Sequence, residues 1–172
     1  MSDSQRDTPK TEREANIVSY GDYPLVSNFA RTRFEFQGKR FASIEAFIQY
    51  IKYPENHPER KNVAKLSGKD AKKAVTREIR EEINRQLLAG ETPTIYWNGR
   101  KIDYRSFEHY ALIEDALRAK FEQNPEAYEQ LMATGDKKLI HDTGKEEKSQ
   151  TSLPNAEFIR ILTELRQEFC SF

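Results

Sequence analysis

Apolar residues recur along this chain with two periods, and the switches between them mark its elements. Ile44, Phe47, Ile48 and Ile51 stand at helical spacing behind Ser43, a residue suited to cap the first turn. Just before them, FEFQGKRF alternates apolar and polar positions on both sides of Gly38, which predicts a tight hairpin with a positive φ at the glycine. A stronger hairpin signal, TPTIYWNGRKIDY, places Asn98 and Gly99 where a type I′ turn needs them. Val75, Ile79, Ile83 and Leu87 repeat every four residues and predict one long helix over 70–90. Further helices are expected over 106–123, 125–133 and 155–169. Asn124 and Pro125 open the second, while Phe158, Ile161, Leu162, Leu165 and Phe169 give the third a core face. A short strand is expected over 17–20, with a turn at Gly21 and Asp22. Pro54 and Pro58 break the chain after Lys52, and a short helix restarts near Glu59 and ends at Gly68.

Residues 1–15 carry almost no large apolar side chain, cannot offset their ordering entropy by burial, and are expected to form a disordered tail. Residues 16–172 then form one mainly helical domain, as a chain of 172 residues suggests. With 28 basic and 28 acidic residues the net charge is zero, so no global field draws the protein to nucleic acid or an anionic membrane, and only local patches remain open. The lone Cys170 rules out an internal disulfide framework and a cysteine-rich zinc site, and fits a reducing cytosol. No apolar run approaches the ~20 residues of a membrane span, and the N-terminus lacks the apolar core of a signal peptide. A soluble cytoplasmic protein without membrane partners is expected. His57, between two prolines, reads as a loop residue, and no metal-ligand spacing accompanies it.

One polar stripe changes this picture. At about 100° per residue, Glu45, Gln49 and Lys52 fall within roughly 60° of one another, beside the Ile48 edge of the apolar face. Two readings are open. Glu45 and Lys52 complement the helix dipole at its two ends, or a carboxylate, an amide and an ammonium line a cleft against the hairpin. Ser27 and Asn28 likewise read either as a turn bonding its own backbone or as a pocket wall. Trp97 pairs across its hairpin or stacks on a base.

The segment VSNFARTRFEFQGKRFASIEAFIQYIK (26–52) resembles the opening of the YbiA-like, or NADAR, family. Ser27, Asn28, Phe29, Ala30, Gly38, Lys39, Glu45, Gln49 and Lys52 match the family pattern, while Ala46 replaces its histidine. The stretch 116–144 and the closing ELRQEF resemble the family's C-terminal helices. The loop before Asn155 departs from the pattern. It is shorter and lacks a Trp-Gly pair and several glycines, and Asp142, Glu146 and Glu147 are candidates for the family's acidic residue without a fixed register.

The resemblance implies a single-domain orthogonal helical bundle with two small β-hairpins. It also implies an N-glycosidase that needs no cofactor or metal, acting on ribosylamino-pyrimidine phosphates or on ADP-ribosylated guanine, free or in nucleic acid. Glu45 becomes the candidate catalytic carboxylate, and Asn28, Phe29, Gln49, Lys52, Lys69 and Asn155 the candidate substrate-binding residues. Lys69, Lys72 and Lys73 each also read as solvated charges on an amphipathic helix. An inactive module that binds ADP-ribose or a nucleotide, and a scaffold domain with charged helices, are the alternatives.

Overall fold

The computed structural model describes residues 13–171. The expected tail lies outside these residues up to position 12, and Glu14 and Ala15 begin the first strand. The described residues form seven α-helices and three two-stranded sheets, a mainly helical fold.

Both hairpins form as the alternation predicts. Strands β2 (Phe34–Phe36) and β3 (Lys39–Phe41) pair Phe36 with Lys39, which leaves Gln37 and Gly38 in the turn at φ 48° and 81°. Strands β4 (Thr94–Trp97) and β5 (Arg100–Asp103) pair Trp97 with Arg100, around Asn98 and Gly99 at φ 49° and 74°. Two successive positive φ values are the signature of type I′ turns.

Helix α1 (Ile44–Tyr50) starts where Ser43 Oγ accepts from the Ala46 amide at 3.0 Å, and that hydroxyl donates to Leu66 O at 2.8 Å. Its inner face meets an aromatic cluster. Trp97 packs edge-on to Phe47 and Phe36, and Phe41 meets both Phe47 and Tyr50 edge-on. The indole N–H donates to Gln37 Oε1 at 2.9 Å, and Trp97 is 4 % exposed, so its role is core packing and not base stacking.

Two helix boundaries differ from the sequence expectation. The restarted helix α2 (Arg60–Val63) stops five residues before Gly68, which instead opens α3 (Gly68–Lys72). The long helix expected over 70–90 is broken between α3 and α4 (Arg77–Leu88). Tyr53 enforces the break, its hydroxyl donating to Ala74 O at 2.6 Å and accepting from the Thr76 amide at 3.0 Å. Val75 is buried in the bend, so its four-residue register with Ile79 is coincidental to the helix.

Helices α5 (Phe107–Gln123), α6 (Pro125–Ala133) and α7 (Asn155–Cys170) follow the predicted pattern. The third sheet was not expected. Strand β1 (Glu14–Asn16) runs parallel to β6 (Lys138–Ile140), and Ile17 N extends the pairing to Ile140 O at 2.8 Å. The strand expected over 17–20 thus lies earlier, and Val18 instead accepts from Gly21 N in a turn. Among the described residues, no helix is long and apolar enough to cross a membrane.

Candidate active site

The loop after the 3-10 turn Pro24–Val26 is fixed at several points. Ser27 Oγ accepts from Phe29 N at 3.2 Å, and Ser27 O accepts from Ala30 N, so the turn reading of Ser27 holds. Asn28 O accepts from Glu45 N at 3.0 Å, and Phe29 O accepts from Gly68 N at 3.0 Å, joining the loop to the starts of α1 and α3. From α5, the buried Lys120 Nζ donates to Val26 O and Ser27 O at 3.3 and 2.9 Å. Asn28 therefore sits beside the first turn of α1, with its side-chain oxygen buried and unpartnered. The turn and wall readings of Ser27 and Asn28 are compatible.

On α1, Gln49 Nε2 donates to Glu45 Oε1 at 2.8 Å across one helical turn. Glu45 keeps a partly exposed edge while its carboxyl is enclosed, and burial raises its pKa above the ordinary carboxylate value. The Gln49 hydrogen bond and the nearby Lys52, Lys72 and His141 act in the opposite sense. Burial lowers the Lys52 ammonium to about 8, opposed by Glu45 and assisted by Arg80 and Arg105. The carboxyl on α1 and the ammonium just past its C-terminal cap are thus a desolvated acid and base, each tuned toward neutrality.

Lys72 from α3 lies over the Phe29 ring, 5.8 Å from its centroid, and its charge reaches Glu45. Lys69, on the same helix, is exposed. Just beyond β6, His141 Nδ1 donates to Ile17 O at 2.6 Å, and its ring stands edge-on to Phe158. Behind Lys52 lies His109, fully buried on α5, whose Nδ1 accepts from Arg105 N at 2.9 Å. Its proton therefore resides on Nε2, a buried donor without a partner. Burial holds the imidazole neutral, down at about 3, with Lys52 and Arg105 adding to the effect. Arg105, at φ 59°, in turn holds Thr151 O at 2.9 and 2.7 Å and also reaches Ser149 O. Tyr104 OH donates to Gln150 O at 2.6 Å, so the loop before α7 is pinned by two successive residues.

Around Glu45 the structure places Gln49 and the Asn28 backbone in hydrogen-bond contact and Lys52 within electrostatic reach, while Phe29 is linked to it through Lys72. Asn155 opens α7, where its amide donates to Glu147 Oε1. Asp142 is used locally: its carboxylate accepts from Gly144 N, while its backbone exchanges two hydrogen bonds with the Asn16 side chain. Sequence reasoning missed His141, His109, Lys120 and Arg105. No local motif marks them: His141, Lys120 and Arg105 act through partners far along the chain, and His109 caps Arg105 one turn away in a way spacing does not reveal.

A family model described as bacteriophage protein GP30.3 matches residues 23–167. Among solved structures, the chain is similar to the NMR structure of the E. coli protein YbiA, with a TM-score of 0.60 and 22% identity over 92% of this chain and 86% of that one. At that identity the likeness speaks for the fold. No curated protein matches.

Proposed function

The chain belongs to the bacteriophage GP30.3 family and has a YbiA-like fold, and on that premise we propose that it is an N-glycosidase. It hydrolyses the bond between C1′ of a phosphorylated ribose or ADP-ribose and the nitrogen of a base. The substrates in question are ribosylamino-pyrimidine phosphates and ADP-ribosylated guanine.

The observation that carries this reading is the enclosed Glu45 carboxylate, oriented by Gln49 and flanked by cations. Breaking the C1′–N bond sends its electron pair to the base nitrogen, which takes up a proton. Positive charge meanwhile develops on the ribose. A carboxylate in a desolvated position stabilises that charge, or traps C1′ as an ester that water then hydrolyses. Because Gln49 engages Oε1, Oε2 is the oxygen left for the sugar. Lys52 and Lys72 supply positive charge for phosphate, and Phe29 under Lys72 offers a wall.

A second reading, a module that binds the ligand without turnover, is favoured by the loop before α7. There Arg105 and Tyr104 hold backbone carbonyls, and Glu147 is committed to the Asn155 amide.

The test presents wild type and Glu45→Gln with ADP-ribosylated guanosine and ribosylamino-pyrimidine phosphates and follows released base by chromatography and mass spectrometry. Wild type is expected to release base, and Glu45→Gln to lose at least about a hundredfold in kcat, the scale of a removed electrostatic stabiliser. Activity should rise with pH as Glu45 ionises, above the usual carboxylate range, and fall again above about 8 as Lys52 loses its proton. Wild type that binds ADP-ribose but releases no base would establish the binding module instead.

A further inference from the structure

A second cleft, of about 390 Å³, lies along the β2–β3 hairpin and does not include Glu45. Arg31, Arg33, Arg40 and Lys65 line it, with Glu35 as the only acid among the lining residues. All four cations are exposed, and among the described residues none of them has a carboxylate or hydrogen-bond partner for its charged group. Arginines on the helices behave differently. Arg77, Arg85, Arg118 and Arg160 each contact at least one carboxylate. The cleft thus gathers four exposed cations against a single acid in a chain whose formal charge is zero.

Its geometry suits a chain of anions. Thr32, Phe34 and Phe36 are buried while Arg31, Arg33 and Glu35 are exposed, so the two arginines reach the cleft where the chain leaves the turn closed by Thr32 N and Ala30 O and enters β2. Arg40 faces the cleft from the partner strand, where it lies opposite Glu35, and Lys65 faces it from the loop after α2. The floor is formed by Phe34, Phe41, Ala42 and Ala64, which offer no competing polar group from their side chains. Guanidinium forks match phosphate oxygens in pairs. Cations spread along a cleft address successive phosphates, whereas a single phosphate is met by donors converging on one point.

We propose that this cleft binds the phosphodiester chain of a single-stranded nucleic acid. The inference is independent of the chemistry assigned to Glu45.

Fluorescence anisotropy of the full chain with a labelled single-stranded oligonucleotide, titrated at several salt concentrations, tests it. The expected slope of log K against log salt is about −0.7 per neutralised phosphate, hence about −3 for four contacts. Arg31→Gln/Arg33→Gln should weaken binding at least tenfold and roughly halve the slope. The equally charge-changing pair Arg77→Gln/Arg85→Gln should leave both unchanged. A thermal melt checks each variant, and Arg40→Gln/Lys65→Gln replaces the first pair if that pair fails to fold. Absent binding at low salt, equal losses in both pairs, or displacement of the strand by a mononucleotide or a duplex at matching concentration would each overturn the proposal.

Discussion

Lys120 is an ammonium enclosed in the core, and among the described residues its donors meet two backbone carbonyls and no carboxylate. Burial brings its pKa down to about 7. A group depressed on folding binds fewer protons folded than unfolded between about 7 and its ordinary value, so stability must rise with pH across that window and fall as pH drops through 7. A neutral amine still has two N–H donors, so both carbonyls stay satisfied when the charge is lost. Lys120→Met removes the titration and strands Val26 O, while Ser27 O keeps the Ala30 amide. Thermal melts at pH 6 and pH 9 should show wild type gaining stability toward pH 9 and the variant gaining less. The variant's deficit at pH 9 should be about 1–3 kcal/mol at most. Glu45 has the opposite sign. With its pKa raised, the ionised carboxylate costs stability near neutrality, so Glu45→Gln should melt at the same temperature or higher at pH 7 while losing turnover.

Elements were legible where their signal is local. The two type I′ turns, the Ser43 cap, the extents of α5 and α6 and the core face of α7 follow from spacing and turn chemistry within a few residues. The Glu45–Gln49–Lys52 stripe was legible for the same reason. The break between α3 and α4 was not, because Tyr53, which imposes it, lies more than twenty positions away and donates only a hydroxyl. Helical periodicity cannot register a side chain that competes for the backbone from outside the window. Tyr53→Phe should therefore cost about 1–3 kcal/mol, since Ala74 O and Thr76 N lose their partner inside the fold. Urea unfolding should show the midpoint falling with an unchanged slope, whereas an intact midpoint would mean that the bend holds without the hydroxyl.

At the scale of the whole molecule, the fold is closed by the parallel pairing of β1 with β6, which sequence patterns miss because each strand has three residues and the partners come from distant parts of the chain. This pairing also reaches the candidate site. Ile17 O, just past β1, receives the His141 N–H, and Asn16 exchanges two hydrogen bonds with the Asp142 backbone at 2.9 and 2.8 Å. Asn16→Ala should lower stability by only about 1 kcal/mol, yet reduce kcat more than the melting temperature suggests, because His141 loses its seat beside Glu45. Comparing turnover with the melt separates that outcome from simple destabilisation. The same closure sets an order of events during synthesis. Helix α1 and its carboxylate leave the ribosome early, but β6 and His141 emerge only after most of the chain, so a truncated translation product carries Glu45 in an unfinished setting and is expected to be inert.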